Sequence, residues 1–168
     1  MGKTKNLHNE EAKEKLKALV KDITFCMFCT KVTGMPFQTR PMATTDVDDE
    51  GNLWFFSGKD SNKNYEVKTD DHVQLIYAKG SNSHFLSISG KAKIIADRKK
   101  IDELWNPLVK AWFPGGKDDP DLRLIKVIPD EAYYWDTAHG KMVSLLKIVT
   151  SAVTGNTKDD GVEGKISL

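Results

Sequence analysis

The run HFLSISGKAKIIA, residues 84–96, limits the possible folds more than any other stretch. Leu86, Ile88, Gly90, Ala92 and Ile94 fall on one side of a period of two. Ser87, Ser89, Lys91 and Lys93 fall on the other. Such alternation describes a β-strand with one buried and one wet face. A strand of this kind needs partners, and the chain supplies them at hairpin spacing. Strand-like segments cover about 23–33 and 37–46, separated by TGMP, and then 53–57 and HVQLIYA at 72–78. DDEGN at 48–52 is a turn cluster, so 37–46 and 53–57 are expected to pair as a hairpin. LRLIKVIP at 122–129 reads as a further strand, which AYYWDT at 132–137 extends after a kink.

Helical periodicity appears in three other places. NEEAKEKLKALVK, residues 9–21, carries Ala12, Leu16, Leu19 and Val20 on one stripe, with Asn9 as the expected cap. A short helix is expected from about Ser61 to Lys68. Ile101, Leu104, Trp105, Leu108 and Trp112 recur at three and four, which predicts an amphipathic helix over 98–113 ended by PGG. Residues 139–154 carry Met142, Leu145, Leu146 and Val149 on one stripe, with Gly155 as the stop. The expected organisation is a single domain over 1–155, with an N-terminal and a C-terminal helix, and a flexible polar tail over 156–168. The fold class is mainly β (α+β). Six or seven antiparallel strands could close into a small barrel and so remove exposed edges.

Charge and composition narrow the function classes. The 168 residues have a net charge of +1, with 29% charged residues nearly balanced in sign. No strong field favours nucleic acid or a membrane surface. No apolar run is long enough to span a bilayer, and the start lacks the apolar core of a secretory signal. A cytoplasmic protein is the expectation. The only two cysteines, Cys26 and Cys29, stand in CxxC spacing. They lie in a strand-like run, where residues three apart point to opposite faces, and no second CxxC or CxxH follows. They read as reduced structural thiols. His8, His72, His84 and His139 show no metal-ligand spacing, so no metal site is expected.

The segment RPMATTDVDDEGNLWFFSGKDSNK, residues 40–63, carries the candidate chemistry. Arg40 offers a planar fork of donors suited to carbonyl or phosphate oxygens. Ser57 and Ser61 offer hydroxyls, Lys63 offers a point charge, and a helix starting near Ser61 would aim free N–H groups at the same anion. Met42, Phe55 and Phe56 are placed to border a flat ring. A planar aromatic ligand with a phosphate tail fits this set. A surface Arg–carboxylate pair and an ordinary helix cap fit the same residues. There is no GxGxxG or GxxxxGK[ST] loop.

FQTRPMATTDVDDEGNLWFFSGKDSNKNYEV, then HVQLIYA, SISGKAKI and IDELWNPLVKAWFPGGKDDPDLRLIKVIPDEAYYWD, resembles the general stress protein family of flavin-binding split barrels, relatives of pyridoxamine 5'-phosphate oxidase. The resemblance covers about residues 10–138. It implies a six-stranded antiparallel split β-barrel with flanking helices, a homodimer, and FMN at the subunit interface. FAD or another flat cofactor, a deazaflavin or haem, is the alternative. By this resemblance Arg40, Pro41 and Met42 line the flavin. Phe56 and Ser57 replace a Tyr-Thr pair, and Ser61, Asn62 and Lys63 stand at the phosphate motif. Trp135 matches a flavin-contacting Trp, and Trp112 approaches the ring. Arg40 is expected at the pyrimidine side and Lys63 at the phosphate, at opposite ends of the ligand.

The departures from the family pattern bear on function. Thr45 replaces a second cation, Asn62 replaces an Arg, and Phe85 stands where a flavin-contacting Gln is expected. HGKMVSLL, with Lys141 alone, replaces the motif that grips the pyridoxal substrate. The expectation is FMN binding without oxidation of pyridoxamine 5'-phosphate. Two readings remain: an FMN-dependent oxidoreductase of unknown substrate, or a flavin-binding module that stores flavin or senses redox stress. No catalytic acid or base is named.

Overall fold

The computed structural model describes residues 3–137 and 161–167. The expected helix over 139–154, with Lys141 and His139, lies outside these residues. Within them ten strands and three α-helices follow the order β1 (Lys3–Thr4), β2 (Leu7–His8), α1 (Asn9–Ile23), β3 (Phe25–Thr30), β4 (Gln38–Ala43), β5 (Asp46–Val47), β6 (Leu53–Gly58), α2 (Asn62–Thr69), β7 (His72–Lys79), β8 (His84–Ile95), α3 (Arg98–Leu104), a 3-10 turn at Val109–Ala111, β9 (Leu122–Thr137) and β10 (Gly161–Ser167). None of the described helices is long and apolar enough to cross a membrane.

The strands form one mixed sheet in the order β1-β10-β9-β8-β7-β3-β4, with β6 also on β9 and β5 on β6. The antiparallel expectation holds for β3 to β9 but not for β1 and β2, which run parallel to β10. Among the described residues no ladder joins β4 to β6, so the sheet is not closed. The expected 37–46/53–57 hairpin is the reason. The chain leaves β4 at Thr44, whose N–H bonds Thr24 O at 2.9 Å, and only Asp46 and Val47 pair with Trp54 and Leu53. β4 itself stays on β3, with Arg40 opposite Phe28.

The alternation in β8 is realised: Leu86, Ile88, Gly90 and Ala92 are buried and Lys91 and Lys93 exposed. Its register against β9 slips between Ser89 and Gly90, which pair with Glu131 and Pro129 and leave Asp130 as the extra residue. This bulge is the kink expected between 129 and 132. At Gly90 a Cβ would lie 2.4 Å from Ile128 O, so glycine permits the close approach. The α1 stripe is also realised, with Ala12, Leu16, Leu19 and Val20 all buried. Asn9 is not its cap. His8 holds that position in extended backbone, and Asn9 starts the helix at φ 53°. His84 ties α1 to the sheet, its Nδ1 at 2.9 Å from Asp22 and its Nε2 at 2.8 Å from Asp136.

Two further expectations fail for identifiable reasons. The 98–113 helix stops at Leu104. Pro107 has no N–H to continue the ladder and its ring excludes helical backbone at the preceding residue. Trp105 and Trp112 therefore share no helical stripe, and Leu108 is 77% exposed rather than buried. The second failure is the tail. Gly161–Ser167 is a strand antiparallel to β9, with Glu163 opposite Trp135. Its period of two was legible in Val162, Gly164 and Ile166, but three short apolar positions among polar ones gave a weak signal. Ile166 is buried, and a Cβ on Gly164 would sit 2.0 Å from Lys5 O.

Gly164→Ala should therefore push β10 off the N-terminal strands. The expected result is a loss of about 1–3 kcal/mol in urea unfolding, with faster proteolysis within 161–167; unchanged values on both measures would refute this packing.

Candidate functional site

A buried polar knot between β6 and α2 fixes the site. Ser57 is 1% and Asn64 0% exposed. Ser57 Oγ donates to Asn64 Oδ1 at 2.7 Å, and Asn64 Nδ2 donates to Gly58 O at 2.8 Å. Ser57 Oγ also lies 3.1 Å from Ser61 Oγ. The strand end and the first turn of α2 are thus locked together by groups with no access to water, where an unmade bond would be costly. Ser61 is the N-cap of α2 by position, but its hydroxyl caps no backbone N–H.

Beside this knot opens a cavity of about 360 Å³, lined by Phe25, Pro41, Met42, Ala43, Thr45, Phe56, Ser57, Lys63, Val109, Trp112 and Phe113. Its walls are mainly apolar and aromatic. The Phe56 ring meets Trp105 edge-on at 5.9 Å and Phe113 at 6.4 Å, which holds it upright. A second hollow of about 660 Å³ shares Phe25, Ala43, Thr45, Val109 and Trp112 and extends to Lys17 and Lys21 of α1.

Lys63 is the one titratable side chain in the lining of the first cavity among the described residues. It has no hydrogen-bond or ion-pair partner there. Burial, then the nearby Arg40 charge, push its pKa down, while Glu66 opposes them. A half-buried cation in direct contact with no carboxylate, at the polar end of an aromatic slot, suits an anionic group of a flat ligand.

Arg40 stands elsewhere than expected. Its Nη1 donates to Thr30 Oγ1 and its Nη2 to Glu66 Oε2, each at 2.7 Å. Thr30 Oγ1 also donates to Glu66 Oε2 at 2.5 Å. Glu66 lies one turn beyond Lys63 on α2, so Arg40 and Lys63 meet at the same end of the site rather than at opposite ends. Burial pushes the Glu66 carboxyl up, but the bonds from Thr30 and Arg40 outweigh it and hold the group below its ordinary range.

Of the other expected residues, Pro41, Met42, Phe56, Ser57 and Trp112 line the cavity. Phe55 does not: it is wholly buried in the core, edge-on to Phe28 at 5.2 Å, because successive strand residues face opposite ways. Asn62 is exposed and outside the lining. Trp135 lies at the far end of β9. Phe56 pairs with Leu124, and Trp135 stands eleven residues further along β9, beyond the bulge at Asp130. Asn64, Glu66, Val109 and Phe113 were not expected. Only Asn64 had a local signal, as a polar residue in a first helical turn.

The thiols carry no chemistry here. Cys26 and Cys29 are buried and free. Burial pushes the Cys26 thiol up to about 12, so it stays protonated. Asp70, Asp71 and His72 gather three oxygen or nitrogen atoms at the surface. His72 Nδ1 is already bonded to Asp70 at 2.9 Å, and this exposed group is an ordinary turn cluster.

A family model described as pyridoxamine 5'-phosphate oxidase like matches residues 11–159. The chain belongs to that family. It is 27% identical over 126 residues to the protein bli-3 of Neurospora crassa, across 70% of this chain and 60% of that relative's length. Among solved structures it is similar to a provisionally assigned general stress protein 26 from Jannaschia sp. CCS1, with a TM-score of 0.77, 25% identity and coverage of 92% of this chain and 97% of the other. A general stress FMN/FAD binding protein from Xanthomonas citri gives a TM-score of 0.65 at 30% identity, covering 76% of this chain and 90% of that one. The resemblance read from the sequence is therefore shown at the level of the family and its general stress branch.

Substituting Lys63 separates fold from function. A lysine whose pKa is lowered by folding destabilises the native state where it is charged, and stability rises with pH as the native form sheds that proton first. Lys63→Met should thus raise the thermal midpoint of the ligand-free protein at pH 7; a lower midpoint would mean that the cation has a structural partner.

Proposed function

We propose that this chain is an FMN-binding protein of the general stress type, with the ring in the slot between Phe56, Met42 and Trp112 and the phosphate against Lys63. The unpartnered Lys63 at the end of an aromatic cavity carries this reading. The Asn64 and Tyr65 N–H groups are taken by Ser61 O, and those of Asn62 and Lys63 add donors at the same end. The named FMN/FAD binding of the Xanthomonas citri relative supports it. A bound flavin would supply redox chemistry; the protein holds it, orients it and excludes water from one side. On this reading β3, β4 with β5, β6, β7, β8 and β9 are the six strands of a split barrel.

The same reading takes the protein as a homodimer. Phe25, Met27, Ile76, Phe85 and Trp135 are each at least 40% exposed on the outer face of the sheet. Met27 pairs with both Pro41 and Ile76, so the apolar row runs across β4, β3 and β7 without a break. A second copy on this face would cover it, and the partner's β9 would bring a Trp135 toward the open side of the cavity. Met27→Glu should give a monomer by light scattering and weaken flavin binding; a dimer unaffected in mass would put the interface elsewhere.

Two uses of the flavin are open. Among the described residues the cavity lining contains no carboxylate, histidine or tyrosine. A flavin store or stress sensor needs no acid–base group beside the ring, and this lining suits one. The adjoining hollow, lined by Lys21, by Asp46 and by Lys17 in its 2.7 Å pair with Asp49, favours an oxidoreductase with room for a second ligand. The deciding experiment has two steps. Titration should show FMN binding, with Lys63→Ala lowering FMN affinity about tenfold and leaving riboflavin unchanged. NADH or NADPH is then added in air to the yellow protein, and sustained oxidation supports turnover. Absence of any flavin binding would refute the proposal as a whole.

A further inference from the structure

The structure assigns Glu66 a role that rests on the flavin reading and deepens it: we infer that Glu66 sets how strongly the site holds the ligand's phosphate, by occupying the Arg40 guanidinium in its place. The Glu66 carboxylate makes a 2.7 Å charge-assisted bond to Arg40 Nη2, and Thr30 fixes the same oxygen at 2.5 Å. The pair is largely enclosed, with Arg40 at 24% and Glu66 at 12% exposed. Neither lines the cavity, whereas Lys63, one helical turn before Glu66, does.

This arrangement has a specific consequence for an incoming dianion. A guanidinium is the best side chain for gripping phosphate oxygens in a fork. Here one arm of that fork is on a carboxylate and another on a hydroxyl. A phosphate at Lys63 therefore meets one free cation, a neutralised second cation and a fixed negative charge nearby. The carboxylate opposes the phosphate directly and withholds Arg40 from it. A neutral flavin ring feels neither effect. The site is thereby set to discriminate weakly between phosphorylated and unphosphorylated flavin, and to exchange FMN readily.

The test measures affinity for FMN and riboflavin by flavin fluorescence in the full chain, for wild type, Glu66→Gln, Arg40→Gln and the double variant. Glutamine keeps the shape of Glu66 but not its charge, so the bond that holds Arg40 becomes a weaker neutral one that a phosphate can displace. Glu66→Gln should tighten FMN about tenfold or more, as expected for removing a like charge several ångströms away, with riboflavin unchanged. In the Arg40→Gln background the gain should shrink, because no guanidinium is left to release. A gain of the same size in both backgrounds, or none in either, would overturn the inference while flavin binding itself stood. Should Glu66→Gln fail to fold, the wild-type protein decides: an FMN preference over riboflavin below about a hundredfold supports the inference, and a larger one overturns it. Wild-type protein that binds neither ligand would overturn the flavin reading and this inference together.

Discussion

The structure depends on one long strand. β9 carries β8 along one edge, and along the other it carries β6 in its first half and β10 in its second. Its bulge at Asp130 allows the two halves to turn relative to each other. The first half positions Ser57 and so the β6–α2 junction. The second half holds Trp135 and the C-terminal strand. The cavity and the exposed apolar face are thus both set by how β9 pairs, although β9 contributes nothing to the cavity lining.

From that frame the site follows by short steps. Ser57 and Asn64 fix the entry to α2, α2 carries Lys63 and Glu66 one turn apart, and Arg40 reaches across from β4 to Glu66. Each link is a buried or half-buried polar contact whose loss would leave an unpaired group. The apolar wall comes from the irregular chain after α3. Pro107 breaks the helix there and lets Trp112 and Phe113 fold over the strands. The residue that breaks the expected helix therefore also shapes the aromatic slot.

The sequence was most legible where periodicity was strong. The β8 alternation and the α1 stripe are both in place, and most of the strand segments lie within a few residues of their expected positions. Long-range pairing was less legible. The partner of β4 depends on a bend at Thr44 and Thr45 that leaves no mark in hydrophobic pattern, so the pairing of Arg40 with Thr30 and Glu66 was not legible. Phe55 and Phe56 are chemically alike, and only the pleat decides which one faces the cavity. Glu66 sits in a short helix with little amphipathic character, and its meaning comes from Thr30 and Arg40, both remote in sequence.

The two sulfhydryls described earlier have a consequence of their own. Both are enclosed in the strand that borders the cavity, and the one at Cys26 stays protonated far into alkaline conditions. Oxidants that attack ionised sulfur would find little to react with at Cys26. Among the described residues the thioethers of Met35, 85% exposed, and Met27, 41% exposed, are the sulfur atoms left open to oxidation, so oxidative damage to the polypeptide would fall first at the surface and leave the strand interior intact.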